Sequence, residues 1–229
     1  MLHLLSATMT AARHSGPLTW RKALATPAFP RVLLAGVLAG IGVAVALPHF
    51  FEWVQGRQGR EMHDPILAMW KARDVSNLTF TVLYGALAIV IVSVARSPLR
   101  ILHGLWAYVF MMLIRMLAMT LFSLEPPPGI IPLIDPLTQN FYPGATPFLK
   151  DLFFSGHTAT LTLMVFLARR GPLRWFAALC TAAIALFVLV QHVHWTVDVL
   201  AAFPAAWLAW LSAGALLRKA GLPTSAEAA

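Results

Sequence analysis

Six apolar runs, each near the length a helix needs to cross a bilayer, dominate this chain and leave little room for any other architecture. They fall at roughly 32–50, 76–95, 100–124, 152–168, 173–192 and 195–217. About 20 apolar residues span the hydrocarbon of a membrane as a helix. No water is present there to satisfy a free N–H or C=O, so the runs are predicted as α-helices. Composition agrees, with 59% hydrophobic and 11% charged residues among 229, where soluble domains carry about 25% charged. The expected fold is all-α, a polytopic membrane bundle of six transmembrane helices. The fourth run is the shortest and reaches spanning length only if its helix starts near Lys150.

The net charge of +8 does not point to nucleic acid, because the basic residues sit in short clusters between apolar runs. Such clusters mark the cytoplasmic side. Arg13, Arg21, Lys22 and Arg31 precede the first run; Arg96 and Arg100 flank the second turn; Arg169, Arg170 and Arg174 fill the fourth; Arg218 and Lys219 follow the sixth. All fall on one side, so both termini are expected in the cytoplasm, with connections 51–75 and 125–150 and the turn near Trp195 on the opposite face. The expected layout is a cytoplasmic segment 1–31, one membrane domain 32–217 without internal repeat, and a tail 218–229. Residues 1–31 lack a compact apolar core with a small-residue cleavage site, so the first helix is expected to act as an uncleaved insertion signal. Cys180 is the single cysteine, so no intrachain disulfide holds the fold.

Titratable side chains beside membrane helices are costly and usually functional. Two stretches stand out, Asp151 to Thr160 and His192 to Asp198, both on the outer face. His194 and Asp198 are four apart and share a face if both are helical. There a carboxylate fixes the imidazole tautomer and leaves the other ring nitrogen to attack; the alternative is an interfacial pair that caps a helix end. Ser155 is a helix-capping type, Gly156 lets a ligand approach the backbone, and free N–H groups at a helix start favour phosphate oxygens. His157 then stands where a leaving oxygen needs a proton. Arg115 lies far along the third helix, either a phosphate contact or a partner of Asp198, Asp151 or Asp64, or a cation snorkelling to the interface. Asp151 can support a histidine or select a cationic headgroup, and Glu125, Asp135 and Asp64 are weaker candidates for that task. His192, two residues before His194, points elsewhere on a helix and reads as interfacial.

Two of these runs carry a family resemblance. Asp151-x-x-Phe154-Ser155-Gly156-His157-Thr158 and His194-Trp195-Thr196-Val197-Asp198-Val199-x-x-Ala202-Phe203 resemble the third and fourth signature motifs of the sphingomyelin synthase family, a branch of the type 2 phosphatidic acid phosphatase superfamily. Arg115 to Met119 is similar to a degraded second motif, and His63-Asp64-Pro65 to a remnant of the first. The resemblance implies a phosphatidic acid phosphatase-like six-helix bundle and a two-step headgroup transfer; with only two well-placed histidines and the carboxylates committed, neither metal nor cofactor is expected. His194 attacks phosphorus, Asp198 supports it, and His157 protonates the departing diacylglycerol oxygen. A lipid hydroxyl such as that of ceramide or diacylglycerol then takes the headgroup of phosphatidylcholine or phosphatidylethanolamine. Asp151, Ser155, Gly156 and Arg115 would hold substrate. The chain departs from sphingolipid-making members at Leu149 and Lys150, where those carry cysteine and glycine, and at Trp195, where they carry tyrosine.

The nearest rival is a lipid phosphate phosphatase or phospholipase C-like hydrolase, in which water is the acceptor. Superfamily phosphatases place an arginine six residues before the last histidine, and here that position is Val188, which favours a diester; Arg115 and Lys150 speak for the rival. A transporter is the non-enzyme alternative, but transporters gather polar groups at the bilayer midplane rather than at one surface. The compact chain suits a bacterial inner membrane with its site toward the periplasm, its partners being a phospholipid donor and a lipid acceptor.

Overall fold

A computed structural model of the chain describes residues 18–135 and 148–224; Arg13 and positions 136–147 of the long proline-rich connection lie outside them. Seven α-helices and no strand occur among the described residues: α1 (Trp20–Leu24), α2 (Ala28–Gln55), α3 (Ser76–Val94), α4 (Pro98–Leu121), α5 (Gly156–Leu167), α6 (Pro172–Val190) and α7 (Thr196–Lys219). Five of these, α2, α3, α4, α6 and α7, are long and apolar enough to cross a membrane. The protein is an integral membrane helical bundle.

The fourth expected span is corrected. Its helix starts at Gly156 rather than near Lys150 and runs for 12 residues, about 18 Å at 1.5 Å per residue, too short to cross alone. Ser155 ends the extended approach by accepting the Thr158 N–H on its hydroxyl, so the cap itself fixes where the helix begins. Residues 151–155 precede it as non-helical chain. Such backbone is tolerated at membrane depth only when buried in protein, and Leu152, Phe154 and Ser155 are buried.

The core sits where α7 packs on α4 and α5, with α6 on α5 and α3 against both α5 and α6. Hydrocarbon supplies no hydrophobic force between helices, so small residues that let backbones approach do the joining. Ala202, Ala206, Ala209 and Ala213 recur at helical spacing on α7 and are all fully buried. Gly104 on α4 faces Leu167 of α5, and Gly36 on α2 faces Leu105 and Trp106. Opposite that contact, Leu34, Leu38, Ile41 and Val45 form an exposed stripe on α2, the face a membrane helix offers to lipid.

The connections 56–75 and 122–135 are laced rather than loose. A Cβ at Gly59 would run into the Leu124 backbone, and that closeness lets the Arg60 N–H donate to the Ser123 carbonyl and the Glu125 N–H donate to the Arg60 carbonyl. Arg57 donates to the Met119 and Thr120 carbonyls at the end of α4, 3.1 and 2.9 Å away. Fully buried Gln191 ties a third connection: its Oε1 accepts the Val75 N–H, and its Nε2 donates to Ser76 Oγ and to the Ile131 and Pro132 carbonyls.

Candidate active site

The short α5 and the start of α7 are joined by one backbone hydrogen bond, Ser155 N–H to the Asp198 carbonyl at 3.0 Å. It sets the two polar stretches side by side. His157, on the first turn of α5, and His194, just ahead of α7, face each other with ring centroids 6.5 Å apart. Phe80 of α3 meets His157 edge-on at 5.9 Å and closes one side. Ser155, Thr158, His194 and Asp198 are buried.

His194 and Asp198 come together, but not as two residues of one helix. The helix begins at Thr196, with Trp195 as its cap residue and Asp198 in its first turn. The Asp198 carboxylate reaches back: Oδ2 accepts the Trp195 N–H at 3.0 Å and lies 3.4 Å from His194 Nδ1. One oxygen therefore serves both of the uses that the spacing alone left open. Facing a carboxylate, Nδ1 carries the ring proton, and Nε2 is left with a free lone pair. Asp198 Oδ1 is buried without a hydrogen-bond partner.

Arg115 joins this cluster from α4. It is 3% exposed, its Nε donates to the Phe154 carbonyl at 2.9 Å, and its Nη2 stands 2.6 Å from Asp151 Oδ1. Of the partners open to it in the sequence, Asp151 is the one it takes. Gly156 has a use that its sequence did not disclose. A Cβ there would lie 3.0 Å from Arg115 Cζ, so what approaches this backbone is the guanidinium itself, laid against the start of α5. The result is a fixed cation beside a helix N-terminus, an arrangement that favours phosphate oxygens.

The other candidate carboxylates, Asp64, Glu125 and Asp135, are occupied. Asp64 caps α7 from the α2–α3 connection, accepting Thr196 N–H at 2.7 Å and the Thr196 hydroxyl at 3.1 Å, as well as the Ile66 and Leu67 N–H groups. Partial burial opposes its ionisation, but these hydrogen bonds outweigh it and hold the carboxyl below its usual range. Glu125 accepts from Lys150 Nζ at 2.8 Å and from Gly59 N–H at 2.7 Å, and the ammonium and the N–H hold it low as well. Lys150 also donates to the Arg57 carbonyl, which keeps its charge in the scaffold. Asp135 accepts the Tyr84 hydroxyl at 2.8 Å. Among the described residues no three His, Cys, Asp or Glu side chains gather as metal ligands would.

Residues 150–214 match the family model for the PAP2 superfamily C-terminal region. The matched stretch takes in His157, His194 and Asp198 and supports the superfamily, whose members are phosphatases and phosphotransferases. It does not distinguish the sphingomyelin synthase-like branch. No curated protein sequence matches the chain.

Sequence reasoning missed Gln191 and the reach of Asp64 to Thr196. A glutamine at the end of an apolar run was a visible signal, since a membrane helix hides such a side chain only with partners. The Asp64 contact had none, because it joins residues 132 apart in sequence.

Proposed function

We propose that the protein is a lipid phosphotransferase that moves a phosphoryl headgroup from a phospholipid to a lipid hydroxyl through a phosphohistidine. The observation that carries this reading is the pair of imidazoles 6.5 Å apart with the Asp198 carboxylate behind one of them. They are close enough for one phosphoryl group to lie about 3 Å from each, the separation of a near-attack geometry.

In the first step the His194 Nε2 lone pair attacks phosphorus, forming N–P, while the P–O bond to diacylglycerol breaks. Imidazolium His157 gives its proton to the departing oxygen. In the second step neutral His157 takes the proton of the incoming hydroxyl, whose oxygen attacks phosphorus as the N–P bond breaks. Asp198 stabilises the cationic ring that His194 becomes. Arg115, with the free N–H groups at the start of α5, meets the phosphoryl oxygens, while Asp151 holds Arg115 in place and Ser155 and Gly156 shape the turn around it. A diester carries one negative charge, and the single guanidinium of Arg115, set against the start of α5 by Asp151, suits it better than a monoester, which calls for two or more cations; Lys150 is turned to Glu125 and the Arg57 carbonyl. Both termini lie in the cytoplasm of a bacterial cell, and the site opens to the periplasm.

The test supplies purified protein with headgroup-labelled phosphatidylcholine or phosphatidylethanolamine and ceramide, diacylglycerol or no acceptor. Label on a new lipid is the expected result. Label released only into water would make the protein a hydrolase, and no turnover with any donor would overturn the enzymatic reading.

A further inference from the structure

At the end of the bundle opposite His194, three guanidiniums gather with no acid to balance them. Gly104 on α4 lets Leu167, the last residue of α5, pack close. One turn back along α4, Arg100 Nη1 donates to the Leu167 carbonyl at 3.1 Å. Arg174, in the first turn of α6, folds back to the next carbonyl, that of Ala168, with Nη2 at 3.3 Å. Guanidiniums on consecutive carbonyls are neighbours, and exposed Arg169 follows directly in the chain. The charges of Arg169 and Arg174 both repel that of Arg100.

Little offsets that repulsion. The carbonyl end of α5 supplies about half a negative charge, and the start of α6 at Pro172, which no side chain caps, supplies as much of the opposite sign. None of the three arginines makes an ion pair among the described residues. Every described carboxylate belongs to the last turn of α2, the first turn of α7 or the connections at the His194 end. Positive clusters orient membrane helices from the flanking loops, a task that requires neither the half-burial of Arg100 and Arg174 nor their anchoring on one turn.

An anion would balance the cluster, and the surroundings say which kind. A Cβ at Gly171, in the turn between Arg169 and Arg174, would meet nothing within 4 Å, so the turn stands open. Farther along α6, Trp175 and Leu179 lie one turn apart and are 72% and 70% exposed, the apolar track of a membrane-facing helix. Cations at the helix ends and an apolar stripe beside them match a lipid headgroup and its chains, and indole rings favour that boundary. A phosphodiester only accepts hydrogen bonds and guanidiniums only donate them. A choline or ethanolamine ammonium would bring a further positive charge to the same place, so the fit is to lipids of net negative charge.

We propose that Arg100, Arg169 and Arg174 bind the phosphate of an anionic phospholipid whose chains lie along Trp175 and Leu179. The site is separate from the two imidazoles, which stand at the other end of α5, and does not depend on phosphoryl transfer there.

Native mass spectrometry of protein released from bilayers of equimolar phosphatidylglycerol and phosphatidylcholine tests it. Phosphatidylglycerol is expected to be retained preferentially, and added inorganic phosphate is expected not to displace it. Arg169→Gln and Arg174→Gln should each weaken that retention about fivefold, the ~1 kcal/mol a basic residue contributes beside an anionic lipid. Arg31→Gln, which removes an exposed charge near the start of α2, should leave it unchanged, and so should His194→Ala. The proposal is overturned by equal retention of both lipids, by displacement with phosphate, or by wild-type retention in both cluster variants. It is also overturned by an equal loss from Arg31→Gln, as diffuse surface charge would give, or by a loss from His194→Ala, as a lipid held at the imidazoles would give. If Arg174→Gln fails to fold, Arg169→Gln, which alters only an exposed side chain, decides.

Discussion

Gly156→Ala is the sharpest probe of how this site is built, because two opposing effects of known size meet at one methyl group. The added Cβ would stand 3.0, 3.1 and 3.3 Å from Arg115 Cζ, Nε and Nη1. Ordinary contact distance is about 3.5–4.0 Å, so the guanidinium must retreat by roughly 0.5–1 Å. Its hydrogen bond to the Phe154 carbonyl, now 2.9 Å, then stretches to about 3.4–3.9 Å and is lost as a bond. A hydrogen bond from a charged donor contributes about 1.5–3 kcal/mol, whereas alanine gains at most ~1 kcal/mol over glycine in a helix. The clash wins by about 0.5–2 kcal/mol, a fall in melting temperature of roughly 1–8 °C for a chain this size. Turnover of labelled phospholipid should fall about 100-fold, the cost of a ~1 Å misplacement. In an Arg115→Ala background the obstacle is gone, and Gly156→Ala should become neutral or slightly stabilising in a detergent thermal-melt cycle. An equal loss in both backgrounds would refute the idea that Gly156 exists to admit Arg115.

His194→Ala should reduce turnover by roughly 10³–10⁶-fold while the protein still inserts and melts normally. Asp198→Asn should lose activity comparably but keep its melting temperature within a few degrees, since an amide oxygen still accepts the Trp195 N–H; Asp198→Ala should lose both. Activity is expected to survive a chelator, and loss restored by a divalent cation would contradict a purely histidine-based transfer. Asp64 is held below its ordinary value of 3.8, so its stabilisation is complete above that pH and disappears as pH falls through the lower folded value. Wild type should therefore lose more melting temperature than Asp64→Asn between pH 6 and about pH 3. Gln191→Leu removes four hydrogen bonds of a fully buried side chain and should cost about 2–4 kcal/mol, read as a lowered melting temperature.

The bundle was legible because hydrocarbon permits so few backbones, and hydropathy alone placed five spans within a few residues of their helices. The fourth was misjudged for a local reason. Apolar Leu152, Phe153 and Phe154 extend the hydropathy signal beyond the Ser155 cap, and hydropathy counts side chains without asking whether the backbone between them is helical. The same blindness hid the way His194 meets Asp198. A spacing of four matches a shared helical face, yet the contact is made by a carboxylate turned back over a cap. That contact ties the site to the fold more tightly than a shared face would. The Asp198 carboxylate stands behind His194 and caps α7, while its carbonyl receives the Ser155 N–H that brings His157 across. Asp64 braces the same helix start from the α2–α3 connection. The cluster therefore rests on backbone hydrogen bonds at the ends of α5 and α7, and a substitution that frays either end should separate the two imidazoles before it unfolds the bundle.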